Sequence, residues 1–135
     1  MVNLSEVNYV AVLIATAATM ILGFLWYSPV LFGNAWAKLR NLKMEEMSGG
    51  GAMTYVLTAL TALGGAFVLA LLLTIGEKTT LVSGLTVGLL IGVSISLKIG
   101  MNYLFENAKL PLYLITIGYH LVSYIAAGLI IGAMQ

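Results

Sequence analysis

The residue of this sequence best suited to acid–base chemistry is His120, the single histidine of the chain. It lies about ten residues into an uncharged apolar run, and a helical rise of 1.5 Å per residue places it about 15 Å deep. That depth is near the middle of a hydrocarbon layer about 30 Å thick. Further polar side chains share or flank its helical face, and these are Tyr113, Thr116, Ser123 and Tyr124. Two interpretations are open: a proton-responsive or solute-contacting site, or a neutral imidazole that hydrogen-bonds between helices.

A second candidate polar cluster consists of Lys98, Asn102 and Glu106, which are spaced by four residues. On a continuous helix this spacing brings the three side chains to one face. In one interpretation Lys98 pairs with Glu106 where the third and fourth apolar runs meet the membrane surface. In the other, the Lys98 ammonium extends along its own stem toward the headgroups and the acid is simply exposed.

Several classes of chemistry lack the residues they need. The chain has no cysteine, which excludes disulfides, thiolate metal sites and cysteine nucleophiles. Its five acidic residues are all glutamate, whereas metalloenzymes and acid–base hydrolases bring several titratable groups together. We therefore expect no cofactor, no metal site and no enzymatic activity.

Composition indicates the solvent in which the chain folds. Of 135 residues, 61% are hydrophobic and 8% are charged, against about 25% charged in an average soluble domain. So few charges exclude an ordinary water-soluble globule, a disordered chain and a nucleic-acid-binding protein with a basic patch. The expected surroundings are a lipid bilayer.

The apolar runs predict an all-α integral membrane protein, a single four-helix bundle over residues 1–135. The expected spans are about 7–27, 53–75, 81–101 and 110–133. Trp26 and Tyr27 end the first span as an aromatic pair typical of the headgroup level. A short amphipathic helix over about 29–47 is predicted to lie in the interface, with Pro29 at its first position and Trp36 on its apolar face.

Small residues recur every fourth position along the third span, at Gly84, Gly88, Gly92, Ser96 and Gly100. Helices in lipid associate through such residues, because they let two backbones approach closely. The stripe predicts helix packing, either within one bundle or between protomers.

Basic residues predict the orientation. The first and third loops and the adjoining span end carry Lys38, Arg40, Lys43, Lys98 and Lys109, whereas the opposite side carries Lys78 and the terminal amine. Because cytoplasmic loops are enriched in Lys and Arg, these two loops are expected in the cytoplasm and both termini outside.

Three stretches together resemble a known family. They are Trp26–Trp36 (WYSPVLFGNAW), Asn102–Glu106 (NYLFE) and Gly118–His120 (GYH). They are similar to the signature stretches of the small bacterial membrane proteins grouped as domain of unknown function 1761. The resemblance covers essentially the whole chain. It implies a four-helix inner-membrane protein of bacterial type and no particular activity, and it raises Tyr119, His120 and the Lys98 cluster as site candidates.

The motif LFGN at residues 31–34 is echoed by LFEN at 104–107. Each copy follows a span on the same side, so the echo is compatible with a parallel duplication.

Three functions are compatible with the sequence. The first is a homo-oligomer that conducts or transports a small solute, because four spans are few to enclose a path. The second is a structural subunit or scaffold that binds other membrane proteins. The third, an enzyme acting on lipid or isoprenoid substrates, is disfavoured because the chain has no aspartate, and the adjacent Glu45 and Glu46 would point to different helical faces. The first span also lacks the embedded carboxylate of small multidrug exporters, since Glu6 stands at its very edge.

Overall fold

The computed structural model describes residues 1–43 and 51–135 of the chain. A 3-10 helix over Leu4–Glu6 precedes α1 (Tyr9–Trp26), α2 (Gly33–Leu39), α3 (Gly51–Leu73), α4 (Leu81–Phe105) and α5 (Leu110–Met134). Four of these helices, α1, α3, α4 and α5, are long and apolar enough to cross a membrane. No strand occurs within the described ranges, and the predicted all-α class with four helices of membrane-spanning length is confirmed.

Local signals explain where the long helices begin and end. The Asn8 side chain accepts a hydrogen bond from Ala11 N at 3.0 Å and so caps α1. Thr80 and Ser83 form a reciprocal capping box at the start of α4. That helix continues to Phe105, beyond the expected end near residue 101, and stops before Asn107, whose φ of 52° lies in the left-handed region.

The segment after α1 differs from the sequence-based expectation. The predicted helix over 29–47 is observed only as α2, and Pro29 lies in the preceding turn, so its assignment to the first helical position is wrong. The Gly33 amide donates to Ser28 O at 2.9 Å, and a side chain on Gly33 would collide with the Tyr27 carbonyl. This close approach folds the chain back onto the end of α1. The helix ends before Asn41 (φ 55°), and residues 44–47 lie outside the described residues.

Helix α5 is the central element, because it packs against α1, α2, α3 and α4. Its closest partner is α4, along the predicted glycine stripe. A Cβ on Gly84 would lie 2.9 Å from Gly132 Cα, and a Cβ on Gly88 would lie 3.1 Å from the Tyr124 carbonyl carbon. The two backbones therefore touch, as glycines every fourth residue allow.

Elsewhere, aromatic rings fill the space that glycines leave. A Cβ on Gly23 would lie 3.2 Å from the Tyr119 hydroxyl oxygen, and one on Gly65 would lie 2.7 Å from the Tyr124 hydroxyl oxygen. The same arrangement pairs Gly100 of α4 with Tyr113 of α5 and Gly118 of α5 with Trp26 of α1. Each long helix therefore meets α5 through at least one glycine.

The two ends of the bundle are held together differently. At one end, termed the closed end, Gln135 Oε1 accepts from Asn8 N at 3.0 Å and Gln135 Nε2 donates to Ala70 O at 3.0 Å. Asn3 N also donates to Thr74 Oγ1 at 2.9 Å. The buried core lies toward this end and contains Ala11, Val12, Ala15, Leu69, Ala70, Leu73, Ala127 and Ile131. At the other end, termed the open end, residues 51–58 of α3 are all exposed.

Candidate functional site

A cavity of 330 Å³ lies among α1, α3, α4 and α5, and His120 is one of the residues that line it. Six hydroxyl-bearing side chains also line this cavity: Thr19, Thr58, Thr61, Tyr119, Ser123 and Tyr124. Ala62, Gly65, Ala66, Ile95 and Ala127 complete the wall. A cavity bounded by four helices with a cluster of polar groups is typical of a small-molecule site.

The cavity exists because α3 is buried along only part of its length. The buried residues of α3 are Ala66, Leu69, Ala70 and Leu73, all in its second half. Just before them, the small side chains of Ala62 and Gly65 leave space beside α5. The Tyr124 hydroxyl lies over Gly65 and bounds this space. The packing of α3 therefore closes the cavity on the side of these buried residues.

His120 is half-buried and its imidazole makes no hydrogen bond to any described residue. Its ring centroid lies 5.2 Å from that of Tyr119, and its backbone carbonyl accepts from Ser123 Oγ at 3.1 Å. A hydrogen bond from the His120 imidazole to a neighbouring helix, one of the two interpretations of this residue, is therefore not found among the described residues. A half-buried polar group with no protein partner is exposed to whatever occupies the cavity.

Most hydroxyl groups of the cavity already donate their proton to backbone carbonyls. Tyr119 donates to Thr19 O at 3.2 Å, and Thr61 donates to Thr58 O at 2.8 Å. Ser123 does the same within α5. The Tyr124 hydroxyl differs, because no described atom hydrogen-bonds to it. His120 and Tyr124 are therefore the two cavity side chains whose hydrogen-bonding capacity is unused.

A second depression, an open groove of 420 Å³, runs along α4 toward the open end. It is lined by Ser94, Ile95, Lys98, Ile99, Met101 and Asn102. Ile95 also lines the His120 cavity, so the groove and the cavity adjoin.

The groove brings together two of the three residues of the predicted polar cluster. Lys98 and Asn102 both line it. Glu106 is the exposed C-cap of α4 and does not line the groove. Of the two interpretations of this cluster, the Lys98–Glu106 pairing is not found across the described ranges. Both side chains are exposed, and the extension of the Lys98 stem toward the membrane surface stays a prediction.

The aromatic residues at the end of α1 contact the protein as well as the interface. Trp26 Nε1 donates to Ile115 O of α5 at 3.0 Å, so its polar atom is used inside the bundle. The Tyr27 ring lies 5.9 Å from the Trp36 ring and 5.8 Å from the Tyr119 ring. Burial raises the pKa of Tyr27, the first residue after α1, to about 12. These contacts connect the segment around α2 to the wall of the cavity.

The glycine stripe packs inside the chain. Gly84, Gly88 and Gly92 face α5, and Gly100 lies under the Tyr113 ring. The sequence reasoning missed the partner positions on α5, Gly128 and Gly132. Their spacing of four residues was the available signal.

The family relationship agrees with this architecture. A protein-family model described as "Protein of unknown function (DUF1761)" matches residues 10–132. The chain belongs to this family. No curated protein and no solved structure matches the chain. The predicted family is therefore confirmed. Because the family is described as of unknown function, membership assigns no activity to this DUF1761 protein.

Two further features of this DUF1761 protein bear on the sequence-based hypotheses. Within residues 1–43 and 51–135 there is no group of three His, Cys, Asp or Glu side chains that could hold a metal ion. The two short echoes also differ in structure. The first copy leads through a turn into α2, whereas the second ends α4.

Proposed function

We propose that this DUF1761 protein binds a small solute in the cavity beside His120 and carries it across the membrane without chemical change. The observation that supports this function best is the His120 imidazole, which lines the cavity and hydrogen-bonds to no described residue. A polar group in hydrocarbon is costly unless it is satisfied. A polar solute or water in the cavity would satisfy it.

The difference between the two ends of the bundle supports a carrier that is open to one side. Hydrogen bonds of Asn8 and Gln135 hold the closed end, whereas α3 is exposed at the open end. A solute would enter the cavity along the groove beside Lys98. Release on the other side requires these closed-end contacts to break, which is the conformational step of the proposed transport.

The proposed orientation places the open end in the cytoplasm and both termini outside. Its support is the excess of Lys and Arg near the open end. The family resemblance favours the cytoplasmic membrane of a bacterium as the location. We further propose a homo-oligomer, because four spans are few to enclose a path.

The test is solute uptake into liposomes that contain the purified full-length protein. The probes are radiolabelled urea, methanesulfonate and tetramethylammonium, which are small and respectively neutral, anionic and cationic. We expect uptake of at least one probe above protein-free liposomes. His120→Ala should lower that uptake by at least tenfold, or about 1.4 kcal/mol in the barrier, because it removes the unpartnered imidazole.

Matched variants separate transport from folding. Ala62→Phe fills the cavity and should lower uptake similarly. Thr86→Ala removes an exposed hydroxyl of α4 that does not line the cavity and should leave uptake unchanged. Monodisperse gel-filtration profiles confirm that each variant folds. Unchanged uptake in both His120→Ala and Ala62→Phe would refute the cavity as the transport site.

A second candidate function is a scaffold that binds other membrane proteins, and the exposed face of α3 over residues 51–58 favours it. This hypothesis predicts partner proteins that co-purify in mild detergent and no uptake of any probe. A homogeneous protein that is extracted without partners would count against it.

A further inference from the structure

The charged lining of the cavity and groove is positive in the described part of the chain. Lys98 is the charged residue that lines the groove, and no carboxylate lines either depression in the part of the chain that the structure describes. The described glutamate nearest to this site along the chain is Glu106. It is exposed, and its position eight residues beyond Lys98 corresponds to about 12 Å of helix. Water and salt screen an exposed charge over such a distance.

Along α4, Lys98 lies between the level of His120 and the open end, in the groove that shares Ile95 with the cavity. The His120 backbone carbonyl lies 3.7 Å from the Cβ position of Gly92, so the two residues are level in the bundle. Lys98 is six residues further along α4, or about 9 Å toward the open end. A solute moving along the groove therefore passes the ammonium group before it reaches the imidazole.

The two unused side chains of the cavity can both donate hydrogen bonds. A neutral imidazole has one N–H, and the Tyr124 phenol has one O–H. The threonine and serine oxygens are acceptors toward the cavity, since their protons bind backbone carbonyls. Such oxygens would also accept from a cation, so they do not discriminate by charge. The His120 imidazole and the Tyr124 oxygen can also accept hydrogen bonds, so the feature that discriminates by charge is the Lys98 ammonium.

We propose that the solute is a small organic anion, whose acidic group is attracted by Lys98 in the groove and then accepts hydrogen bonds from His120 and Tyr124. This inference rests on the proposed transport function and specifies its substrate class. An organic cation would meet repulsion from Lys98 and would find no carboxylate among the described lining residues.

The experiment compares uptake of methanesulfonate with uptake of tetramethylammonium, each at equal concentration, in liposomes containing the full-length protein. Both probes are permanently charged and small, so unassisted leakage is slow. We expect methanesulfonate uptake to exceed tetramethylammonium uptake by at least tenfold. Lys98→Gln should reduce this ratio about tenfold, whereas Lys98→Arg should preserve it.

Controls distinguish an electrostatic role of Lys98 from a structural one. Raising the salt concentration should lower the wild-type ratio toward that of Lys98→Gln, because salt screens an exposed charge. Glu106→Gln, which removes the neighbouring acid on the same face, should leave the ratio unchanged or raise it. Calorimetric titration of methanesulfonate into the detergent-solubilised protein measures binding without transport, and Tyr124→Phe should weaken it about tenfold.

The outcomes separate the two proposals. Equal or faster uptake of tetramethylammonium, still dependent on His120, would overturn the anion inference and leave transport intact. A ratio that Lys98→Gln does not change would overturn the role of Lys98. Absence of both uptake and binding for every probe would overturn the transport function together with this inference.

Discussion

Replacing Gly84 with alanine tests whether the contact between α4 and α5 is as close as the structure indicates. The added methyl carbon would face the Gly128 carbonyl and would lie 2.9 Å from Gly132 Cα. Both neighbours are backbone atoms, so no side-chain rotation can make room. An ordinary contact begins at 3.4 Å, so the two helices must separate by more than the 0.5 Å that Gly132 Cα alone would require, because the Gly128 carbonyl oxygen is closer still.

The magnitude follows from two opposing effects. Overpacking of a close contact costs about 1–3 kcal/mol. Replacing glycine with alanine inside a helix gains about 0.5–1 kcal/mol of backbone entropy. Gly84→Ala should therefore lower the free energy of unfolding, by up to about 2.5 kcal/mol. Gly64→Ala is the matched control, because its methyl group meets nothing within 4 Å, and it should raise the free energy of unfolding by about 0.5–1 kcal/mol.

A double-mutant cycle with Gly128→Ala sharpens the test. A Cβ on Gly128 would in turn face the Gly84 carbonyl, so the same separation of the helices accommodates both methyl groups. The double variant should lose less stability than the sum of the single variants, by at least about 0.5 kcal/mol.

The assay is denaturant unfolding in detergent micelles, followed by circular dichroism or tryptophan fluorescence. Strictly additive losses at Gly84 and Gly128, or a stabilising effect of Gly84→Ala equal to that of Gly64→Ala, would refute the close approach of α4 and α5.

Two further predictions concern hydrogen bonds that connect the helices. Trp26→Phe removes the 3.0 Å hydrogen bond to Ile115 O. It should lower the free energy of unfolding by about 0.5–1.5 kcal/mol. An unchanged denaturant midpoint in the same unfolding assay would contradict this prediction. Gln135→Ala removes the bonds at the closed end to Asn8 and Ala70. Amide hydrogen exchange should become faster around residue 8 than in the wild type, with a smaller change around His120. An equal change at the two positions would argue against a closed end held by these bonds.

The long helices were predictable from hydropathy because lipid demands about 20 apolar residues per span. The observed helices follow the expected apolar runs. They differ at their ends, because capping and turn geometry determine the residue at which each helix begins or stops. The short helix after α1 was predicted too long. Its actual limits depend on the approach of Gly33 to the Tyr27 carbonyl and on the left-handed conformation of Asn41. Gly and Asn in the sequence indicate where tight turns and left-handed backbone can occur. The contact of Gly33 with the end of α1 depends on the folded chain, so the local sequence does not predict it.

The candidate site was predicted only in part. Depth along the apolar run singled out His120, and spacing placed Lys98 and Asn102 on one face. The sequence does not reveal that α3 is buried in its second half alone, and this partial burial creates the cavity and leaves the imidazole without a protein partner. The partner of the glycine stripe was missed because a periodic pattern on one helix does not specify which neighbour it faces.

The central position of α5 has a consequence for biosynthesis. In chain order α5 follows every other helix, yet it carries the main contacts of α1 and α4. During translation α1 and α4 therefore enter the bilayer before their principal partner exists. A ribosome that stalls within α5 would leave them loosely associated, with the glycines of α4 exposed to lipid or to membrane chaperones. Quality control of this protein is thus expected to act late, on the insertion of a single helix.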